Sequence, residues 1–260
     1  VLVFAGADSI VMDSVPGAEE RLQPHLERYI INEDVQLHDR TSEWGELSLC
    51  GPNSAAILSE FAIDAASLPP CGHLDGAIAG AAVSIRRFDF TRQPGYLIST
   101  ARNALGSVWE SLRNVGAKPA GSEVFEALRI EALFPWYGPD ISDDNLAQEV
   151  SRTSKAISFT KGCYLGQEPV ARIDALGHAN RELRGLKLET ASVPQVGSKV
   201  LSPEGKEIGA VTSSAYSHGI EQAVALGYVR VPFQRPGSNV VIASADGANV
   251  PAEVFAGDAN

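Results

Sequence analysis

The strongest constraint on how this chain folds is a change of hydrophobic rhythm near Arg181. Up to that residue, segments with apolar residues three or four apart alternate with segments in which every second residue is apolar; beyond it the helical spacing disappears. A helix brings every third or fourth side chain onto one face, whereas a half-buried strand brings every second one there. The later part instead repeats short apolar runs, at Leu183–Leu188, Lys199–Leu201, Gly209–Val211, Ala223–Val231, Val240–Ala243 and Val250–Phe255. Turn-forming segments such as Pro203-Glu204-Gly205-Lys206 and Arg235-Pro236-Gly237 separate them. Short strands joined by tight turns bury their apolar faces against one another, so residues 183–260 are expected to form a small all-β barrel.

The first part, residues 1–182, reads as an α+β region. Val1–Val15 presents two short strands around Gly6-Ala7-Asp8, and Glu19–Ile31 carries Leu22, Leu26, Tyr29 and Ile30 at helical spacing, with Pro24 marking a late or bent start. Val35–Asp39 and Glu46–Cys50 alternate as strands, and Gly51-Pro52-Asn53 opens a helix bearing Ala56, Ile57 and Phe61. Further strands are expected in Ala77–Phe90 and Gly95–Thr100, then an amphipathic helix through Leu105, Val108, Trp109 and Leu112 that stops at Gly116. Another helix is expected to start at Ser122, capped by its hydroxyl, and to run through Phe125, Leu128 and Leu133 to the break at Pro135. Glu131 then stands near a helix end, beside a loop. Repeated strand–helix–strand elements suit ferredoxin-like modules. The opening Val1-Leu2-Val3-Phe4 reads as a strand entered partway through a domain, so a preceding N-terminal part is expected.

Charge and cysteine content exclude several function classes. A net charge of −11 opposes direct binding to nucleic acid, which relies on Lys and Arg displacing counterions from phosphates. Three cysteines, Cys50, Cys71 and Cys163, form neither a disulfide framework nor a zinc-ligand spacing, and a reducing cytoplasm is the simplest setting. No apolar run is long enough to cross a bilayer, and the first residues lack the basic segment and long apolar core of a secretory signal. Phosphate loops, nucleophile elbows and paired-histidine metal motifs are also missing from the sequence.

The segment richest in chemistry is Lys161-Gly162-Cys163-Tyr164-Leu165-Gly166-Gln167-Glu168. Glycines on both sides of Cys163-Tyr164-Leu165 free the backbone for a positive φ or for close approach of a ligand, and Lys161 favours the thiolate of Cys163. Cys163 is therefore the candidate nucleophile or soft ligand, with Lys161 as its activator; the alternative is a conformational role in which the thiol packs behind Tyr164. Gln167 and Glu168 either tie the loop to its own backbone or face a ligand. His178 titrates near neutrality, although a lone loop histidine is usually a polar surface residue.

This octapeptide resembles the signature of the YgfZ-type branch of the folate-binding family related to the glycine-cleavage T-protein. Leu128-Arg129-Ile130-Glu131-Ala132, Pro135-Trp136-Tyr137-Gly138-Pro139-Asp140 and Gly177-His178-Ala179-Asn180-Arg181-Glu182-Leu183 are similar to the family's flanking segments in order and spacing. The resemblance implies a protein that binds tetrahydrofolate or a one-carbon derivative. It also implies support of iron-sulfur cluster assembly or repair, with iron-sulfur client or assembly proteins, tRNA-modifying enzymes among them, as partners. A pterin ring presents adjacent N–H donors that one carboxylate accepts together, which makes Glu131 the candidate anchor. Tyr137 and Tyr164 are candidate walls, Gln167 and Glu168 candidate polar contacts, and Arg172 and Arg181 candidate forks for the glutamate-tail carboxylates. Leu133 departs from the family pattern by standing where a glycine is usual. An aminomethyltransferase of the glycine-cleavage type and a scaffold with a decayed folate pocket are the two alternatives, and the cysteine signature argues against the first.

Overall fold

A computed structural model describes residues 1–177, 179–243 and 249–255. The chain forms two compact units, Val1–Pro119 and Ala120–Asn260. Among the described residues, no helix is long and apolar enough to cross a membrane.

The first unit opens with an antiparallel pair, β1 (Leu2–Ala5) and β2 (Ile10–Asp13), followed by α1 (Glu19–Glu27). Pro24 lies inside α1 rather than delaying its start. Next come β3 (Trp44–Cys50), α2 (Ser54–Ser59), β4 (His73–Ile78), β5 (Ala81–Arg87), β6 (Gly95–Ala101) and α3 (Leu105–Asn114). The strands form one antiparallel sheet in the order β3-β6-β5-β4. One of its faces buries Leu47, Leu49, Val83, Ile85, Tyr96 and Ile98 against Leu58 of α2 and Val108 and Leu112 of α3. The opposite face carries the alternate residues, and Glu46 pairs there with Ser99. Val35–Asp39, expected as a strand, carries none; its alternation is real, but Val35 is exposed and no strand among the described residues pairs with it.

The second unit begins with α4 (Ser122–Glu131). Gly121, in an extended conformation, takes the cap position, and Ser122 is the first helical residue without a side-chain cap bond. That placement corrects the expected serine cap. Two short helices follow, α5 (Thr153–Ala156) and α6 (Gln167–Leu176). Six strands then close a barrel in the order β10-β7-β12-β11-β8-β9. They are β7 (Arg181–Leu188), β8 (Lys199–Leu201), β9 (Glu207–Ser217), β10 (Gln222–Arg230), β11 (Asn239–Ala243) and β12 (Asn249–Phe255). The molecule is thus an α+β protein with a C-terminal closed β-barrel, as its hydrophobic rhythm implies. The barrel is filled by Leu186, Leu188, Val200, Ile208, Val211, Val229, Val240, Ile242 and Val254. A second cluster seats α4 on the outside of β7 and β10, with Ile130 fully buried against Leu183, Val224, Leu226 and Tyr228. The barrel's first strand begins at Arg181, while residues 120–177 belong to the same compact unit as the barrel.

Candidate functional site

The site is built on the C-terminal turn of α4, which the protein fixes from both sides. Arg129 is 1% exposed and forms an ion pair with the equally enclosed Asp140 at 2.8 Å. Its guanidinium also donates to Glu126, to the Phe134 carbonyl at 3.1 Å and to Ser213 Oγ at 2.8 Å. Burial alone would lower the pKa of Arg129, but the Glu126 hydrogen bonds and the Asp140 and Glu126 charges outweigh it and raise it. Asp140 in turn accepts from Trp136 N at 2.9 Å, Thr212 Oγ1 at 2.5 Å and Ser213 Oγ at 2.7 Å, and its carbonyl accepts from Tyr228 Oη at 3.0 Å. With Arg129 included, the carboxylate receives four donors, about as many as its lone pairs accommodate. A single buried ion pair therefore ties together α4, the Pro135–Asp140 turn and β9.

The helix ends in a Schellman arrangement: Phe134 N donates to the Arg129 carbonyl at 2.8 Å, and Leu133 N to the Ile130 carbonyl at 3.0 Å. Leu133 occupies the left-handed position with φ +54°, where glycine is normally favoured. A Cβ on Gly185 of β7 would lie 2.5 Å from Leu133 Cδ2 and 2.3 Å from Phe255 Cζ. The side chain gained at 133 is thus accommodated by the one missing at 185, and its packing offsets the strain of about 1 to 2 kcal/mol expected for a left-handed non-glycine residue.

Held in this way, Glu131 stands half-buried at the end of α4, and Ser217 Oγ donates to its Oε1 at 2.5 Å. Tyr137 is 42% exposed and donates to Asp143 Oδ1 at 3.2 Å. Trp136 packs against the rings of Phe125 and Phe134 at 6.0 and 5.8 Å, so it serves the core.

The cysteine segment has a different character. Lys161 Nζ lies 4.5 Å above the Tyr164 ring centre, so the ammonium is placed on the aromatic face. Cys163 is exposed, as are Cys50 and Cys71; the Cys50 thiol is nonetheless partly desolvated, which pushes it up, and a Thr91 hydrogen bond partly offsets this. Gly166, at φ +82°, starts α6, so Gln167 and Glu168 are the first two residues of a helix rather than parts of a free loop. The sequence reading missed α6 because Pro169 interrupts its pattern; a proline in the first turn forfeits no intrahelical bond. No residue of α6 is buried, and Arg172 is exposed along it.

Arg181 is engaged elsewhere. It donates to Glu149 Oε1 at 3.0 Å and Oε2 at 3.1 Å, and its guanidinium lies 5.0 Å from the Tyr228 ring centre. The Glu149 hydrogen bonds raise the Arg181 pKa, while burial in part opposes them and pushes the Tyr228 phenol up to about 12. The candidates therefore fall into three groups: Glu131 with Ser217, Lys161 with Tyr164, and Arg181 with Glu149 and Tyr228. His178 lies outside the described residues. Among the described residues, no cluster of three His, Cys, Asp or Glu side chains is placed to hold a metal ion.

Asp140, Thr212, Ser213 and Ser217 were not foreseen as site residues. The signal available was the polar run Thr212-Ser213-Ser214 directly after the apolar stretch Ile208–Val211.

Residues 2–161 match the family model of the GCVT N-terminal domain, and residues 181–257 match that of the glycine cleavage T-protein C-terminal barrel domain. The chain belongs to the glycine-cleavage T-protein family. An aminomethyltransferase of Halothermothrix orenii is 28% identical over 216 residues, covering 81% of this chain and 60% of that protein. One from a Nostoc species is 31% identical over 198 residues, covering 75% and 52%. The crystal structure of glycine cleavage system aminomethyltransferase T from Bartonella henselae superposes with a TM-score of 0.78 at 23% identity, over 92% of this chain and 65% of that one, a likeness of fold. The chain spans about 60% of the length of the curated relatives it matches.

Proposed function

We propose that this T-protein-family chain binds tetrahydrofolate or a one-carbon derivative, with Glu131 as the anchor of the pterin. The observation that carries this reading is the half-buried carboxylate at the end of α4, oriented by the buried hydroxyl of Ser217. A carboxylate held in one plane suits the adjacent N–H donors of a pterin, because paired charge-assisted hydrogen bonds need matched geometry. Membership of a family whose relatives are named aminomethyltransferase supports one-carbon transfer of the aminomethyl type as the reaction class. The bound folate supplies the one-carbon acceptor chemistry; the residues described here bind and orient it.

Calorimetric titration with tetrahydrofolate tests the anchor. Glu131→Ala is expected to weaken binding by about 1.5 to 3 kcal/mol, the scale of a hydrogen bond to a charged group. Unchanged affinity in a folded variant removes Glu131 from the site.

A second reading is favoured by one specific observation. Cys163 is exposed at the centre of the segment that resembles the YgfZ branch, which suits transient contact between a thiol and a client protein. On this reading the folate-binding chain supports iron-sulfur enzymes, tRNA-modifying ones included, in a reducing cytoplasm, and its partners are client or assembly proteins. One cysteine does not hold a cluster by itself, so further ligands come from the partner or a small thiol.

A further inference from the structure

Ser217 is the last residue of β9, is fully enclosed, and has no role in the fold's apolar clusters. Its oxygen accepts from Ile220 N at 3.4 Å while its proton is directed to Glu131 Oε1 at 2.5 Å. A hydroxyl carries one proton, so the amide on its acceptor side leaves that proton committed to the carboxylate. Side chains alternate along a strand, which puts Ser213 and Ser217 on the same face of β9. Ser213 holds Arg129 and Asp140 from that face, and Ser217 holds Glu131 from it. The strand therefore fixes the last turn of α4 at one point and the carboxylate at another.

We infer that Ser217 is a positioning residue that sets the plane of the Glu131 carboxylate for a pterin, an inference that rests on the folate reading above. The last torsion of a glutamate is broad, so an untethered carboxylate samples many planes. Only some of those planes offer both oxygens to two adjacent donors. Tethering one oxygen to a buried strand restricts that freedom before the ligand arrives, which is how preorganisation raises affinity without adding a contact to the ligand.

The test is a double-mutant cycle read by calorimetric titration with tetrahydrofolate on the wild type, Ser217→Ala, Glu131→Ala and the double variant. Ser217→Ala is expected to bind about 3- to 10-fold more weakly, the scale of one ordinary hydrogen bond. The double variant is expected to bind no more weakly than Glu131→Ala, because without the carboxylate there is nothing left to orient. Ser217→Thr, which keeps the hydroxyl, is expected to recover most of the loss. If Ser217→Ala weakens binding equally in both backgrounds, the serine serves the fold generally and the inference is overturned. Wild-type affinity in Ser217→Ala overturns it as well, and leaves the folate reading standing if Glu131→Ala binds weakly. If the folded wild type itself does not bind, the folate reading fails and takes this inference with it.

Discussion

Three separate elements converge on Asp140, whose carboxylate gathers donors from α4, from the turn that contains it and from β9. Removing it leaves the Arg129 guanidinium without its buried counter-charge and with only the partly exposed Glu126 beside it, and a buried charge that loses an enclosed partner costs far more than the pair contributes when intact. Asp140→Ala is therefore expected to lower stability by about 3 to 5 kcal/mol. Glu126 also meets Arg129, but its side chain is 36% exposed, and Glu126→Ala is expected to cost about 1 kcal/mol or less. Urea unfolding followed by circular dichroism compares the two; equal losses would show that the buried turn carries no more weight than the partly exposed Glu126. The importance of Asp140 was hidden in the sequence because nothing in Pro135–Asp140 says which distant strand will meet it. The hydroxyls of Thr212 and Ser213 lie more than seventy residues further along the chain.

At the scale of elements, the β1–β2 pair shows a charge arrangement with a pH consequence. Alternation along β3, β5 and β6 places Glu46, Arg86 and Ser99 on the sheet face opposite α2 and α3. Phe4 and Asp13 of the β1–β2 pair meet them there: Arg86 donates to Asp13 at 3.1 Å and to Glu46 at 2.7 Å, and its guanidinium lies 5.1 Å from the Phe4 ring centre. Phe4 also meets the His73 ring edge at 6.2 Å. Burial and the neighbouring Asp13 charge push Glu46 up to about 7 against the pull of Arg86 and Ser99. A carboxyl with a raised folded-state pKa keeps its proton while the unfolded chain has lost it. Its contribution to stability is thus full below about 4.5, falls as pH rises, and is gone above about 7. Glu46→Gln is expected to abolish this fall, so the stability difference between the two proteins changes across that window and is flat above it. Urea midpoints at matched pH values, with hydrogen exchange at β1 and β2 amides, measure it; a difference that stays constant from low to neutral pH would show that folding does not raise the Glu46 pKa. The same elements show where sequence patterns succeed and fail. Alternation located β3 but also marked Val35–Asp39, which forms no strand, while β4 was foreseen only from Ala77 onward and β9 only at Gly209–Val211 although it extends over Glu207–Ser217. Its apolar pattern is broken by Thr212, Ser213 and Ser217, the side chains that bond Asp140 and Glu131.

For the whole molecule, the barrel and the wider T-protein family were legible, because closure of short strands and a motif series in fixed order are properties of the chain as written; the matching domains and relatives support that wider family and not the YgfZ branch specifically. The position of α4 against β7, β10 and β9 was not legible, since it depends on contacts far apart in sequence. What divides the two functional readings is the role each gives to the exposed thiol of Cys163. If the chain acts by aminomethyl transfer, purified protein with its full-length context should move an aminomethyl carbon from a lipoyl carrier to tetrahydrofolate at an enzymatic rate, on the order of 1 per second or more. Cys163→Ala should then leave that rate intact, because the thiol takes no part in holding Glu131. If the chain supports iron-sulfur enzymes, loss of the gene should lower tRNA methylthiolation while glycine cleavage continues. Wild type should restore the modification and Cys163→Ala should not, at equal accumulation of both proteins. The net charge of −11 bears on this outcome: so acidic a chain opposes direct contact with the tRNA backbone, so a tRNA phenotype should arise through the modifying enzyme. Restoration of methylthiolation by Cys163→Ala would reject the thiol's role, and transfer at an enzymatic rate would assign the chain to the aminomethyltransferases by function.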